Sequence, residues 1–349
     1  MRTFVLSAFV ALLAGGIKLD TTYSTDKGLE VAIVFKQSSE TTMSMERDGE
    51  PVEGMGGGGM SAEAQISETY VDRFLEVADG KPRKVRRHWT DVSGTTSMSM
   101  GDNATERELE SPFKGLVVEI DAEGEATVVE GTEPEGEDAL KGHKLLLCLD
   151  ALLPAKEVAV DDTWDLEKDA IVEALHQEVI SKLTPPPARP EGGEGRGQRG
   201  GGGGRGGMRG GRSGRGGNLR DVDWTGQAKV LSVDEDVDGV ACTVVELKLE
   251  ASGSRELPAM GRPRDGAFGL PLENTQTYSY EFEGKLHWDN KEQRPLKLEL
   301  KGKGSVESVR EMSREESTMR MESTEEMQLE YSVAVSEAKA EAKSEAKKD

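Results

Sequence analysis

Residues 29–45 read LEVAIVFKQSSETTMSM, and their periodicity decides the fold class. Leu29, Val31, Ile33 and Phe35 alternate with Glu30, Ala32, Val34 and Lys36, and the same parity runs on to Met43 and Met45. Successive side chains of an extended chain point to opposite faces, so this pattern predicts one long strand with a single buried face. The glycine-rich stretch EGMGGGGMS ends it.

The same design recurs along the chain. In TYVDRFLEVADGKPRKVRRHWTDV, the turn residues from Asp79 to Pro82 separate two strand-like runs, which predicts an antiparallel hairpin. GLVVEIDAEGEATVVEG repeats this with a tighter turn, and WTGQAKVLSVDEDVDGVACTVVELKLEA and YSYEFEGKLHWDNKEQRPLKLELKGKG are two further hairpins. The last pair joins the segment from Leu296 to about Met312 with MRMESTEEMQLEYSVAV, where Met327, Leu329, Tyr331, Val333 and Val335 share a parity. Strand after strand linked by short turns specifies a mainly β protein, a large curved antiparallel meander sheet or half-barrel.

One segment breaks the period. Between Asp165 and Leu183, Ile171, Leu175, Val179 and Leu183 recur every four positions, Asp165 is placed to cap the start, and the prolines from Pro185 stop the run. This predicts one amphipathic α-helix, about residues 165–183, covering a face of the sheet.

Location is read at the other end. MRTFVLSAFVALLAGG places Arg2 before an apolar run from Phe4 to Leu13 and then small residues, the order of a cleavable export signal over residues 1–16. The expected setting is therefore extracytoplasmic, periplasmic or secreted. The β-rich body then divides into residues 17–184 and 218–335, followed by an Ala/Glu/Lys-rich tail, 336–349.

Between the two halves lies PPPARPEGGEGRGQRGGGGGRGGMRGGRSGRGG, residues 185–217. Its seven arginines against Glu191 and Glu194 give +5, which leaves −27 of the formal −22 for the rest of the chain. An acidic body repels nucleic acid and anionic membrane, so polyanion contact falls to this segment, through Arg196, Arg199, Arg205, Arg209, Arg212 and Arg215. Single-strand binders also carry stacking aromatics, and the segment has none, so it reads as a solvated Gly-rich insertion rather than an RNA arm.

Three segments taken together, DRFLEVADGKPRKVRR, LLPAKEVAVDDTWDL and EGKLHWDNKEQRPLKLELKG, resemble a group of exported bacterial β-rich proteins of unknown function. Asp161 stands where that group's motif has a glycine before Asp-Thr-Trp. The resemblance implies an extracytoplasmic β-rich domain and lends no activity.

Chemistry-bearing motifs are sparse. DEDVDG, from Asp234 to Gly239, opens like a calcium loop, but position twelve is Val245 and the flanks are strands, so it reads as an acidic hairpin turn. His88, His143, His176 and His287 lie far apart, in no zinc spacing, and no nucleophile motif is present. Trp164, Trp224 and Trp288 each adjoin an aspartate and read as packing residues. The two cysteines, Cys148 and Cys242, either form one disulfide or remain separate buried thiols. The expectation is a protein without enzymatic activity, metal or cofactor, which binds an apolar ligand or an envelope partner. The alternative is an interaction protein whose Arg-Gly segment holds a polyanion.

Overall fold

The computed structural model describes Ile17, Leu19 and residues 29–52, 60–78, 81–100, 103–134, 140, 149–154, 156–175, 222–256, 271–314 and 317–337. Among them the strands are β1 (Leu29–Arg47), β2 (Glu50–Pro51), β3 (Met60–Ala78), β4 (Lys81–Met100), β5 (Asn103–Glu110), β6 (Val117–Asp121), β7 (Ala126–Glu130), β8 (Thr163–Leu166), β9 (Trp224–Val237), β10 (Val240–Glu256), β11 (Pro271–Asp289), β12 (Arg294–Arg314) and β13 (Ser317–Glu337). A 3₁₀ turn (Leu149–Leu152) and one α-helix, α1 (Lys168–Ala174), complete the described elements.

All thirteen strands join one open antiparallel sheet, in the order β7-β6-β4-β3-β1-β13-β12-β11-β10-β9-β8, with β2 beside β1 and β5 beside β4. The predicted hairpins all form. What the hairpins do not announce is that β1 pairs β13 along its whole length, from Leu29 opposite Glu337 to Arg47 opposite Met319. The meander therefore starts and finishes in the middle of the sheet, and its two free edges, β7 and β8, are near neighbours in sequence. A short β5 and an edge strand β8 are additional to the strands predicted.

Turn chemistry follows the sequence. Asp48-Gly49 and Asp238-Gly239 each have φ in the left-handed region at both residues, 54° and 82°, then 56° and 85°. Two successive left-handed residues form the turn whose twist matches a hairpin, and Asp-Gly is a preferred pair for it. Of the DEDVDG segment, Asp234 to Val237 thus end β9, and Asp238-Gly239 form the two-residue turn to β10. Asp161 also has φ 71°; its backbone N–H donates to Val230 O and its carboxylate meets Lys229 at 2.7 Å.

The helix needs correction. Asp165 does not cap it: the residue lies in β8, opposite Gln227, and the position before the helix is Glu167, which makes no side-chain capping bond. Within the described residues the helix is seven long and turns at Leu175. Ile171 and Leu175 are buried as the stripe requires. Val179 and Leu183 lie outside the described residues, as do residues 1–16, the 185–217 segment and the tail from 338.

One face of the sheet carries the core. Cross-strand register aligns Ile33 with Tyr70 and Val333, Leu298 with Val333 and Leu286, and Val245 with Leu286 and Val230, so a buried apolar row crosses the strands from β3 to β9. Glycines allow rings to lie flat on that face. A Cβ on Gly302 would come within 2.5 Å of the Phe282 ring, and one on Gly304 within 2.5 Å of Tyr280. Each aromatic faces its glycine directly across the β11–β12 ladder. Over this surface pack α1, the 3₁₀ turn and the 111–116 loop, whose Phe113 meets Trp89 edge-on at 5.1 Å.

Candidate functional site

Two positions of the core face carry opposite charges. Tyr70, Asp72 and Phe74 share a parity in β3, Val85, Arg87 and Trp89 in β4, and the register sets Asp72 opposite Arg87. The guanidinium donates through Nε to Asp72 Oδ1 at 2.7 Å and through Nη2 to Oδ2 at 2.6 Å, a two-pronged fit. Both side chains are buried, at 1% and 4% exposure. The guanidinium also lies 4.3 Å from the Tyr70 ring centre, a cation–π contact. Beside it the Trp89 indole N–H donates to buried Glu68 at 3.3 Å.

Tyr331, on the same face in β13, donates to Ala174 O at 3.4 Å and so ties the helix to the sheet. Burial, then the Glu68 charge, pushes its hydroxyl well above the usual phenol range, with Arg87 opposing. This island is closed by packing. Its chemistry is positional: a charge pair that fits only in one β3–β4 register.

The outer face offers a cleft of about 960 Å³, lined by Lys36, Ser38, Gln65, Ser67, Thr95 and Glu330 among others. Serine, threonine and glutamine side chains share the wall with Ile66, Val92 and Leu109. Its charges partly neutralise one another, Lys36 and Lys301 reaching Glu330 at 4.0 and 3.8 Å.

A third surface extends the core face toward the far ends of the long strands. Beyond Gln37, Ser39 and Met327 the same parity continues as Thr41, Met43 and Met45 on β1, Ala64, Ala62 and Met60 on β3, Thr96 and Met98 on β4, and Met321 and Met319 on β13. These side chains are half-buried, and Met98 is exposed. By register all nine methionines of the described residues fall on this one face; Met327 is buried, Met98 is exposed, and Met43, Met45, Met60, Met312, Met319 and Met321 are half-buried.

Of the residues singled out from sequence, Arg196, Arg199, Arg205, Arg209, Arg212, Arg215 and Cys148 lie outside the described residues. Cys242 is a buried thiol on β10, pushed up to about 11 by burial and by Asp289, Asp236 and Glu235, an unreactive setting at neutral pH. His143 and His176 also lie outside the described residues. His88 is exposed, whereas His287 is buried with Nδ1 unpartnered; burial first, with Lys297 and Lys285 adding, holds its pKa below the usual value.

The tryptophans pack as expected. Trp224 lies 6.1 and 5.8 Å from Tyr280 and Phe282, Trp288 is fully buried, and Trp164 donates to Leu152 O at 3.0 Å. Among the described residues no group of three His, Cys, Asp or Glu side chains could hold a metal ion, and no helix is long and apolar enough to cross a membrane.

Sequence reading missed the Asp72–Arg87 pair and most of the methionine face. The signal for the first was a charge at an apolar parity on two adjoining strands. For the second it was Met-x-Met at 43–45, 98–100 and 319–321.

No family model and no curated protein matches the chain. Among solved structures, the chain is similar to one described as "Lipid-protein interactions in lipovitellin", with 10% identity and a TM-score of 0.29, over 90% of this chain and 26% of that one.

Proposed function

We propose that the protein is an exported, non-catalytic binding protein, akin to the group of exported β-rich proteins it resembles, and that it takes an apolar ligand on the end of its core face that no described element covers. One observation supports this reading above the others. The apolar parity of the strands does not stop where the covering elements stop, and it continues as half-buried methionine, alanine and threonine side chains. Methionine is unbranched and polarisable, so a methionine surface adapts to apolar partners of varied shape.

Native mass spectrometry of protein purified from its own cell envelope tests the proposal. The expected result is a co-purifying apolar molecule that is lost when Met43 and Met60 are replaced by Asp. A bare polypeptide mass under gentle conditions overturns it. A mature chain from native cells that still begins at Met1 overturns the export part separately. The alternative reading, polyanion contact through residues 185–217, rests on the charge contrast between that segment and the acidic remainder. Salt-sensitive retention on heparin, abolished by replacing the segment with a Gly-Ser linker, would favour it.

A further inference from the structure

At the end of the core face that no described element covers, the methionines are register neighbours in an unbroken series. Met98 and Met100 are two apart on β4; Met100 faces Met60 across the β3–β4 ladder, and Met60 faces Met43 across β1–β3. Met43 and Met45 are two apart on β1, Met45 faces Met321 across β1–β13, Met321 and Met319 are two apart on β13, and Met319 faces Met312 across β12–β13. Directly opposed residues on one face have Cβ atoms only about 4.5–5.5 Å apart. Three rotatable bonds let each thioether swing toward its neighbour's.

Apolar packing alone does not call for sulfur. In the covered half of the same face, β1 uses Leu29, Val31, Ile33 and Phe35, and β13 uses Val333, Tyr331 and Leu329. Leucine and isoleucine are the ordinary fillers, yet among the described residues eight of the nine methionines cluster where the cover ends. What methionine has and leucine lacks is a soft, neutral donor, and thioethers select soft monovalent metal over zinc, calcium or magnesium. A thioether also forms no disulfide, so such a site persists in an oxidising compartment.

We infer that this end of the sheet is a thioether site for a soft monovalent cation, Cu(I) or its analogue Ag(I), centred on Met43, Met60 and Met98 with Met100 at the adjoining register position. Charge places the centre there rather than at the β12–β13 end. Arg47 faces Met319 and Arg310 faces Met321, and a guanidinium beside the sulfurs opposes a cation. Around the β1–β3–β4 end, Thr105 faces Met98 and Asn103 faces Met100, both neutral; Arg107 faces Thr96 one row nearer the core. The inference rests on this end of the face being the binding surface and changes what is bound there.

Ag(I), which undergoes no redox change, is the probe, titrated into full-length protein in chloride-free buffer. Two readouts are taken: silver retained per chain by mass spectrometry, and the ¹³C-labelled methionine ε-methyl resonances. The expected result is about one tightly held ion, with the methyls of Met43, Met60 and Met98 shifting and that of buried Met327 unmoved.

Replacing Met43, Met60, Met98 and Met100 by leucine keeps the apolar volume and removes the sulfur, so retention should fall to about zero. Replacing Met319 and Met321 by leucine should leave it intact. Silver taken up while the methionine methyls stay still means cysteine binding and overturns the inference; so does full retention in the four-leucine variant. The four-leucine variant should keep the apolar ligand. If it loses metal and keeps ligand, both readings stand. If wild-type protein binds ligand and no silver, this inference alone fails.

Discussion

The two ends of the same strands make the most informative comparison. From Leu29 to Phe35, β1 faces the core with branched and aromatic side chains beneath a helix, a 3₁₀ turn and a loop; from Thr41 to Met45 it presents threonine and methionine at half-burial. Strand parity, ladder and neighbours are common to both. Among the described elements only the cover differs, and side-chain stiffness follows it. β-Branched and aromatic residues fill a fixed environment with little entropy to lose, whereas methionine suits a surface whose occupant comes and goes.

Breaking the covered half should cost most. Arg87→Ala leaves Asp72 buried without its two-pronged partner, and a destabilisation of about 3–5 kcal/mol is expected in denaturant melts. A like truncation at the other end, Met43→Ala, should cost less than about 1 kcal/mol, since the side chain is only half-buried. Equal losses would mean that the methionine end is covered as fully as the core.

The helix cover comes next. Leu175→Ala is expected to lose about 2–5 kcal/mol through burial and the cavity it leaves, while Glu173→Ala, exposed on another side of α1, stays under about 0.5 kcal/mol. Ring packing is the third layer. Gly302→Ala forces its Cβ into the Phe282 ring and should cost about 1–3 kcal/mol by overpacking, read as a lower Tm; no change would mean that the ring can move freely off its glycine.

The smallest effect is a pH slope in the covered half. Burial lowers the pKa of His287 in the folded state below the ordinary 6.5. The unfolded chain therefore takes up the proton first. Stability from this group is complete above about pH 6.5 and is lost as pH falls from there through the folded pKa. His287→Gln should flatten that part of the profile relative to wild type, measured as the difference between the two proteins' melts from pH 7.5 to 5. An unaltered difference would place the histidine's titration outside the folding equilibrium.

Much of this was legible from residues 29–45 and the hairpins after them. Period-two alternation survives any tertiary arrangement because it records which face of a strand is buried, and Asp-Gly pairs mark their turns because few other residues tolerate two left-handed positions in succession. So strands, turns and the parity of Met43 and Met45 could be read directly. The helix start could not, because Asp165 satisfies a cap pattern and a strand pattern equally, and pairing with Gln227 in β9 decided between them.

Local pattern is equally silent on which strands far apart in sequence become neighbours. The β1–β13 pairing, the fork between Asp72 and Arg87, and the joining of three separate Met-x-Met pairs into one series each require a register between strands. Alternation specifies the face of every residue but not its partner; the partner is chosen by the energy of the assembled sheet, where a slip of one residue would turn every buried side chain to water.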